Sequence, residues 1–462
     1  MAREVDGEAI DREGCIPKSV REGAARLGLF GLTIPTESGG SGLSLTAACR
    51  VVSEIARVDR SVAIMIGLHA GLGTQGLVQH GTRELQREWL PRLASGECIA
   101  SFAATEASAG SDLNSIRTVG APVADGLRID GEKSYVTNGG FAGLFTVLVR
   151  TPGLGGSRAC SVVCVPRDLP GVQIGSEEDK LGIRGSSTVT VRFDGATIPW
   201  THVLGEAGRG IELTNGLLAW GRTLMSAGCV GTARAALDAT LGYVNARRQF
   251  GRAVGEFGAT RAHVAFMGAR VHAMEAVVRG VAAAQGRGES IDTPSAIAKV
   301  FTSDSSFEIC DRAVQLHGAL GFLEPTGVAR QLRDCRITRI FEGANDVLLV
   351  RIGAARLATR APLAGGDAVP LLDALARRFD ACLDELRSRL GIAAIRKQLV
   401  LQRVARAEMA LAVARATSHE TPLGLYTVAQ LAAEGHAAID SIARAEHDED
   451  DASSIATLLY AG

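Results

Sequence analysis

Glu342 stands in Arg336–Leu349, RITRIFEGANDVLL, behind the apolar pair Ile340–Phe341 and ahead of the small residues Gly343 and Ala344. A carboxylate in that setting supports two chemistries. It can be a solvated charge at a helix end, with Asn345 or Asp346 capping a helix that begins at Val347. It can also be a base turned into a low-dielectric cleft, where burial raises its pKa toward the pH at which an enzyme works. Charged side chains are usually exposed, so the segment by itself favours the capped helix.

Other stretches carry weaker signals. Ser101–Asp112, SFAATEASAGSD, follows a strand-like run with small and hydroxyl residues. Gly110 and Ser111 offer backbone N–H groups and a hydroxyl, a surface suited to a planar, hydrogen-bonding ligand with phosphates nearby. Composition alone favours a polar turn. Tyr135–Gly140, YVTNGG, pairs an aromatic plate with the Thr137 hydroxyl. Arg247–Gly251, RRQFG, sits at a helix–loop break, where arginine could fork onto pyrophosphate oxygens or simply end a helix. His317 reads as a packed histidine, with no sequence neighbour suggesting a triad. Gly71–Gly76, GLGTQG, fits GxGxxG, yet it leads to a turn and a helix instead of a second strand ending in an acid. Close helix packing accounts better for these glycines.

The elements that position these residues follow from periodicity. Residues 1–100 read as helices, with Val20–Leu29, Leu45–Val58 and Thr82–Leu93 separated by breaks that include Asp59–Ser61. Residues 101–210 read as a β domain: Thr188–Phe193 alternates strictly, and Ile129–Gly131 and Phe193–Gly195 are turn signals of the hairpin kind. Residues 211–357 return to helical spacing as a C-terminal four-helix-bundle domain. After a Pro/Gly-rich gap at 361–370, residues 366–462 form an extra helical domain. Its stripes are Leu372–Leu390 (ended by Gly391), Val400–Ala414 and Leu425–Ile442, followed by an acidic run, Glu446–Asp451, expected to be a solvated end. The expected fold class is α+β.

Composition narrows the function. Of 462 residues, 46% are hydrophobic and 21% charged, with net charge −1, which argues against nucleic-acid binding. Nine cysteines without a CxxC read as reduced thiols, and no metal site is expected. The polar N-terminus is not a signal peptide, no apolar run approaches a membrane span, and a reduced cytoplasmic location is expected.

Taken in order, TEASAGSD (105–112), KSYVTNGG (133–140), KLGIRGSS (180–187), RRQFG (247–251), QLHGALGF (315–322) and RDCRITRIFEGAND (333–346) resemble the acyl-CoA dehydrogenases over essentially the whole chain. GGFAGLFTVLVRTP (139–152), SAIAKVFTSDSSFEICDRAVQLHGALGF (295–322) and the helical tail, including QLVLQRVARAEMALAVARATS (398–418), are closest to the very-long-chain branch. That resemblance implies an acyl-CoA dehydrogenase-like fold: a helical domain, a central β-barrel-like domain, a helical bundle and the extra helical domain.

It implies FAD, with Phe102, Ala104, Thr105, Gly110, Ser111, Tyr135 and Thr137 facing the flavin. Arg247, Phe250 and Gln315 would bind the adenine dinucleotide portion across a homodimer interface. Ser187 and Arg222 would lie near the CoA arm, and Gly343 beside the substrate. Glu342 would remove the α-proton of an acyl thioester while flavin accepts hydride from the β-carbon. The thioester carbonyl would be polarised by the Glu342 N–H and a ribityl hydroxyl; such preorganised donors are worth roughly 3–4 kcal/mol each. Electrons would pass to electron-transfer flavoprotein.

A long acyl chain is expected, with Gly67, Gly71, Gly73 and Gly76 giving the acyl pocket depth. The alternatives are an acyl-carrier-protein-bound or specialised biosynthetic thioester, a flavin monooxygenase, or a non-catalytic binding protein on the same scaffold. Membrane association through the tail is not expected. The sequence departs from the family in three places. Ala344 replaces a threonine that contacts the flavin, a loss of about 1 kcal/mol. Ala107 replaces a proline and is expected to loosen its loop. The usual first helix is absent or very short.

Overall fold

The computed structural model describes residues 5–156, 159–363 and 369–460. Six helices come first: α1 (Gly7–Glu13), α2 (Lys18–Arg26), α3 (Leu45–Val58), α4 (Arg60–Leu68), α5 (Gln75–His80) and α6 (Arg83–Ser95). Ser44, Asp59 and Thr82 cap α3, α4 and α6 through their side chains, satisfying N–H groups that have no partner inside the helix. The break expected at Asp59–Ser61 is a single residue. Asp59 is extended and Arg60 is already helical.

One π-helical turn, His69–Gly73, joins α4 to α5. The resulting run, Arg60–His80, is long and apolar enough to cross a membrane, contrary to the sequence expectation; 89% of its apolar window is buried inside the protein. It is a core element. Gly71 and Gly73 explain how it packs. A Cβ on Gly71 would stand 3.1 Å from Leu224 Cδ1, and one on Gly73 would meet Ala100 at 3.0 Å.

The middle of the chain is one eight-stranded sheet: β1 (Ala100–Ala103), β2 (Val119–Val123), β3 (Gly126–Thr137), β4 (Leu144–Arg150), β5 (Cys160–Pro166), β6 (Val172–Glu177), β7 (Thr188–Pro199) and β8 (Val203–Leu204). Its order is β6-β7-β3-β2-β4-β5-β8, with β1 parallel to β4. The path has two ends, β6 and β8, so the sheet is open where a barrel would close. The two Asp-Gly signals are not turns. Both lie inside the long β3–β7 ladder, where the register shifts beside Ile129 and Asp130. Gly131 and Gly195 take positive φ there, and Asp130 Oδ1 accepts the Gly195 N–H at 2.8 Å. A bulge bends a strand with the same residues a hairpin uses to reverse it.

Helices then return: α7 (Gly210–Ala246), α8 (Gly258–Gly286), α9 (Asp292–His317), α10 (Val328–Arg336), α11 (Asn345–Ala358), α12 (Pro370–Leu390), α13 (Gln398–Ala416) and α14 (Pro422–Tyr460). One apolar core joins α3, α7, α8 and α9 to α11, α12, α13 and α14. The α12 and α13 stripes are buried or packed on this core, and Gly391 ends α12 with φ +52. In the third stripe Leu425 is exposed and the others are buried. Residues 364–368 of the predicted gap, and the side chains of Glu446, Asp450 and Asp451, lie outside the description. Within that acidic run Glu449 is more than a solvated charge, because its carboxylate accepts the N–H groups of Gln398 and Leu399 at 2.8 and 3.2 Å. The first turn of α13 lacks intrahelical acceptors, and an anion there also suits the helix dipole.

The glycine contacts yield a test. Gly73→Val drives a branched side chain into the β1 backbone and should cost about 1–3 kcal/mol, the usual scale of overpacking. Thermal unfolding should show a lowered midpoint; an unchanged midpoint would mean that β1 yields without cost.

Candidate active site

Two consecutive residues at the α10–α11 junction take left-handed backbone angles, Glu342 (φ +57) and Gly343 (φ +99). Glycine does so freely, whereas a residue with a Cβ pays about 1–2 kcal/mol. Two buried cations hold the turn. Arg222 of α7 donates from Nε to the Glu342 carbonyl at 2.9 Å. Lys299 of α9 donates from Nζ to the Gly343 carbonyl at 2.8 Å and to Asn345 Oδ1 at 2.7 Å. Asn345 in turn donates to Ser303 Oγ and Asp304 Oδ1 at 2.9 and 3.0 Å. The expectation that Asn345 or Asp346 caps a helix from Val347 is therefore corrected. Helix α11 begins at Asn345, its N-cap is Ala344 without a side-chain bond, and the Asn345 amide is spent on α9.

The turn aims the Glu342 side chain at a cavity of about 290 Å³. Its Oε2 is shut off from solvent and lacks a hydrogen-bond partner among the described residues. Burial pushes the Glu342 carboxyl up to about 7, against the downward pull of Arg222, Lys299 and Arg60. Burial also brings Lys299 down to about 8, although Glu342 opposes the shift. Phe341 lines the cavity as expected, but Ile340 is exposed.

The opposite wall comes from the sheet domain. Phe102, Ala104, Thr105, Gly110, Ser111, Tyr135 and Thr137 all line the same cavity as Glu342, Gly343 and Arg222. Tyr135 is 64% exposed and holds φ +56, an outlier of the kind found at ligand clamps. Ser134 N–H donates to Thr105 O at 2.9 Å, tying the two loops together. The Ala107 loop is not loose. Glu106 and Ala109 exchange both backbone bonds, at 2.9 and 3.1 Å. The Glu106 carboxylate takes Lys133 Nζ at 2.8 Å and the N–H groups of Arg117 and Thr118 at 2.6 and 2.9 Å. Burial pushes Glu106 up, but these donors outweigh it and leave the carboxyl below its ordinary value.

Other predicted residues lie apart. Arg247 follows the end of α7, and Phe250–Gly251 form the tip of a two-residue hairpin, β9 (Arg248–Gln249) to β10 (Arg252–Ala253), with φ +49 and +81. Those signs suit a primed hairpin turn. Phe250 is 93% exposed, and Gln315 is exposed near the end of α9. None of the three lines the cavity. Ser187 is buried, with Oγ accepting the Gly140 N–H at 2.8 Å; it too is absent from the cavity wall. His317 is packed, stacked on Tyr243 at 4.4 Å with Nδ1 2.7 Å from Ala313 O. Of the four glycines expected to deepen an acyl pocket, only Gly67 lines the cavity. Gly71 and Gly73 are consumed by packing, and a Cβ on Gly76 would meet Leu204 and Leu217 at 3.0 and 3.3 Å.

Sequence reasoning missed Lys133, Lys299 and Arg60. Lys133 carried a signal, since it occupies an inward position of a strand whose neighbours alternate. Lys299 lies in SAIAKVFTS, a lone cation in a run of small and apolar residues on α9.

Residues 1–97, 101–196 and 208–357 match the N-terminal, middle and C-terminal domains of acyl-CoA dehydrogenase. The chain belongs to the acyl-CoA dehydrogenase family. It is 37% identical over 341 residues to the very long-chain specific acyl-CoA dehydrogenase, mitochondrial, of Macaca fascicularis, covering 72% of this chain and 52% of that protein. It thus spans about half the length of such relatives. "Probable acyl-CoA dehydrogenase fadE25" of Mycobacterium leprae is 36% identical, over 75% of this chain and 90% of that one. The crystal structure of acyl-CoA dehydrogenase complexed with FAD from Bacillus anthracis superposes with a TM-score of 0.83 at 26% identity, over 93% of this chain and 82% of that chain.

Two tests follow from the turn. Lys299→Met takes the Nζ donor from the Gly343 carbonyl and from Asn345 Oδ1, at about 1–3 kcal/mol in all, and removes a cation that holds the Glu342 pKa down. Thermal unfolding should move to lower temperature and the titration of Glu342 to a pH above about 7; a downward move of that pKa would contradict the electrostatic assignment. Ala344→Thr supplies the missing N-cap of α11 and should stabilise by about 0.5–2 kcal/mol, read as a higher unfolding midpoint.

Proposed function

We propose that this protein removes hydrogen from the α and β carbons of an acyl-CoA thioester, giving the trans-2-enoyl product, with electrons passing to electron-transfer flavoprotein. The observation that carries this reading is the partnerless, water-excluded Oε2 of Glu342, facing a cavity walled by the 102–111 and 135–137 segments. Glu342 is the base for the α-proton. Its raised pKa brings it near neutrality, where a base combines sufficient ionisation with sufficient basicity.

The residues present fit a flavin. They offer two aromatic side chains, Phe102 and Tyr135, the hydroxyls of Thr105, Ser111 and Thr137, and an unobstructed backbone at Gly110, where the nearest atom to an added Cβ is 3.9 Å away. FAD bound there supplies the acceptor for hydride from the β-carbon. The Glu342 N–H has no acceptor among the described residues and is available to the thioester carbonyl, which makes the α-proton acidic enough to leave. Leu68, Leu72 and Val347 add apolar surface to the cavity wall.

Arg247, Phe250 and Gln315 lie away from this cavity on exposed backbone. Their placement supports contact with the FAD of a second copy in a homodimer, and the left-handed Phe250 is presented outward as such a contact requires.

Spectral titration of FAD-loaded protein with acyl-CoA thioesters should bleach the flavin. Glu342→Gln should retain binding and lose bleaching, and bleaching at the normal rate in that variant would remove Glu342 from the role of base. The sign of the pH dependence is set by the base form, so the rate of bleaching should rise through about pH 7 and level off above it; a rate that falls through that range would contradict the assignment.

A further inference from the structure

Arg60 is the first residue of α4, and its side chain turns inward to line the cavity that Glu342 faces. It is 4% exposed. Its one described polar contact is weak, Nη2 to the Cys229 thiol at 3.6 Å, and its Nε has no partner among the described residues. The neighbouring Asp59 does not neutralise it: that carboxylate caps Val62 and lies 3.7 Å from Arg330. No carboxylate among the described residues forms an ion pair with Arg60. A buried guanidinium without a counter-ion is costly.

Position on α7 gives the distance from the reacting end. A Cβ on Gly221 would stand 3.1 Å from Glu342 Oε2, and a Cβ on Gly228 would collide with Arg60 Nη1. Seven residues are about two turns, so both glycines share a face and are separated by roughly 10 Å along the axis. Glycine at 228 is what leaves room for the guanidinium. Glu342 is the one acidic side chain among the described residues of the wall, against Arg60, Arg222 and an Arg351 already paired with Asp292.

We propose that Arg60 is a specificity residue for the far end of the acyl chain, and that the preferred substrate is the monothioester of a dicarboxylic acid whose free carboxylate forks onto Arg60. The inference rests on the acyl-thioester reading above. An extended chain advances about 1.2 Å per bond, so roughly 10 Å, less about 3 Å for the terminal hydrogen bond, leaves some six bonds beyond the α-carbon, the last of them C–O, and an acyl group of about seven or eight carbons.

The test compares suberyl-CoA with octanoyl-CoA on the FAD-loaded protein, reading kcat/KM with a dye as electron acceptor. Suberyl-CoA should be preferred by at least about tenfold, the scale of one charge-assisted hydrogen bond, with adipyl- and sebacyl-CoA poorer. Equal or better use of octanoyl-CoA overturns the proposal, and this comparison needs no variant. Arg60→Met should reverse the ratio and Arg60→Lys should keep part of it; an unchanged ratio in Arg60→Met also overturns it. Oxidation of no thioester would defeat the catalytic reading instead. The Arg60 site is then read by thermal shift with free suberate against octanoate. Stabilisation by suberate alone, lost in Arg60→Met, supports the site, and its absence overturns it.

Discussion

Two buried cations on two consecutive carbonyls hold the Glu342–Gly343 turn. Arg222 and Lys299 reach from different helices to Glu342 O and Gly343 O. Without them a glutamate has little reason to stay in the left-handed region, which costs it about 1–2 kcal/mol. With them the strained conformation is the one that gives each cation a carbonyl acceptor. The cost of burying a lysine and an arginine is met by carbonyl and amide oxygens instead of carboxylates. That choice leaves the Glu342 carboxylate free. Had the cations paired with the side chain, its pKa would have dropped and its oxygens would have been occupied.

The rest of the molecule can be understood as what keeps those two helices in register with the loops opposite. Gly71 and Gly221 let the π-helical turn approach α7 closely, which fixes the α4 face against the face that carries Arg222. Gly73 brings the same turn onto β1, whose continuation is the Phe102–Thr105 wall. The buried Lys133–Glu106 pair then closes the loop beyond β1. Each joint is a close backbone approach or a buried ion pair. Neither tolerates gradual slippage, because interiors are packed without slack.

Much of this was legible in the sequence at the level of elements. Periodicity marked Leu45–Val58 to the residue, along with Gly391 as a helix end and the buried stripes of α12 and α13. It failed where one residue type serves two geometries. Asp-Gly at 130–131 and 194–195 supplies positive φ to a bulge as readily as to a hairpin, and only the ladder tells them apart. Asn345 has the chemistry of an N-cap, yet the partner that claims it, Lys299, lies far away in sequence. Glu342 was readable as a candidate base only through the order of motifs around it, because local composition favours an exposed helix end. Arg60 was invisible as a site residue. Its meaning depends on Gly228, and no local pattern links the two.

That last pairing shows what kind of information a cavity adds. Along α7 the same helical face presents Gly221 to the carboxylate of Glu342 and Gly228 to the guanidinium of Arg60. Both glycines are absences of side chain: Leu72 and the Glu342 carboxylate close on Gly221, and the Arg60 guanidinium fills the space at Gly228. A helix with Ala or Leu at 228 would close the cavity with apolar surface, the conventional lining for a hydrocarbon tail. Instead a cation has been admitted to a place where water is scarce, and a hydrocarbon tail cannot satisfy it. In a low-dielectric cavity a cation discriminates between ligands more by what it penalises than by what it attracts. An apolar chain reaching Arg60 would strip its remaining hydration and return nothing, whereas an acceptor at that depth would complete it.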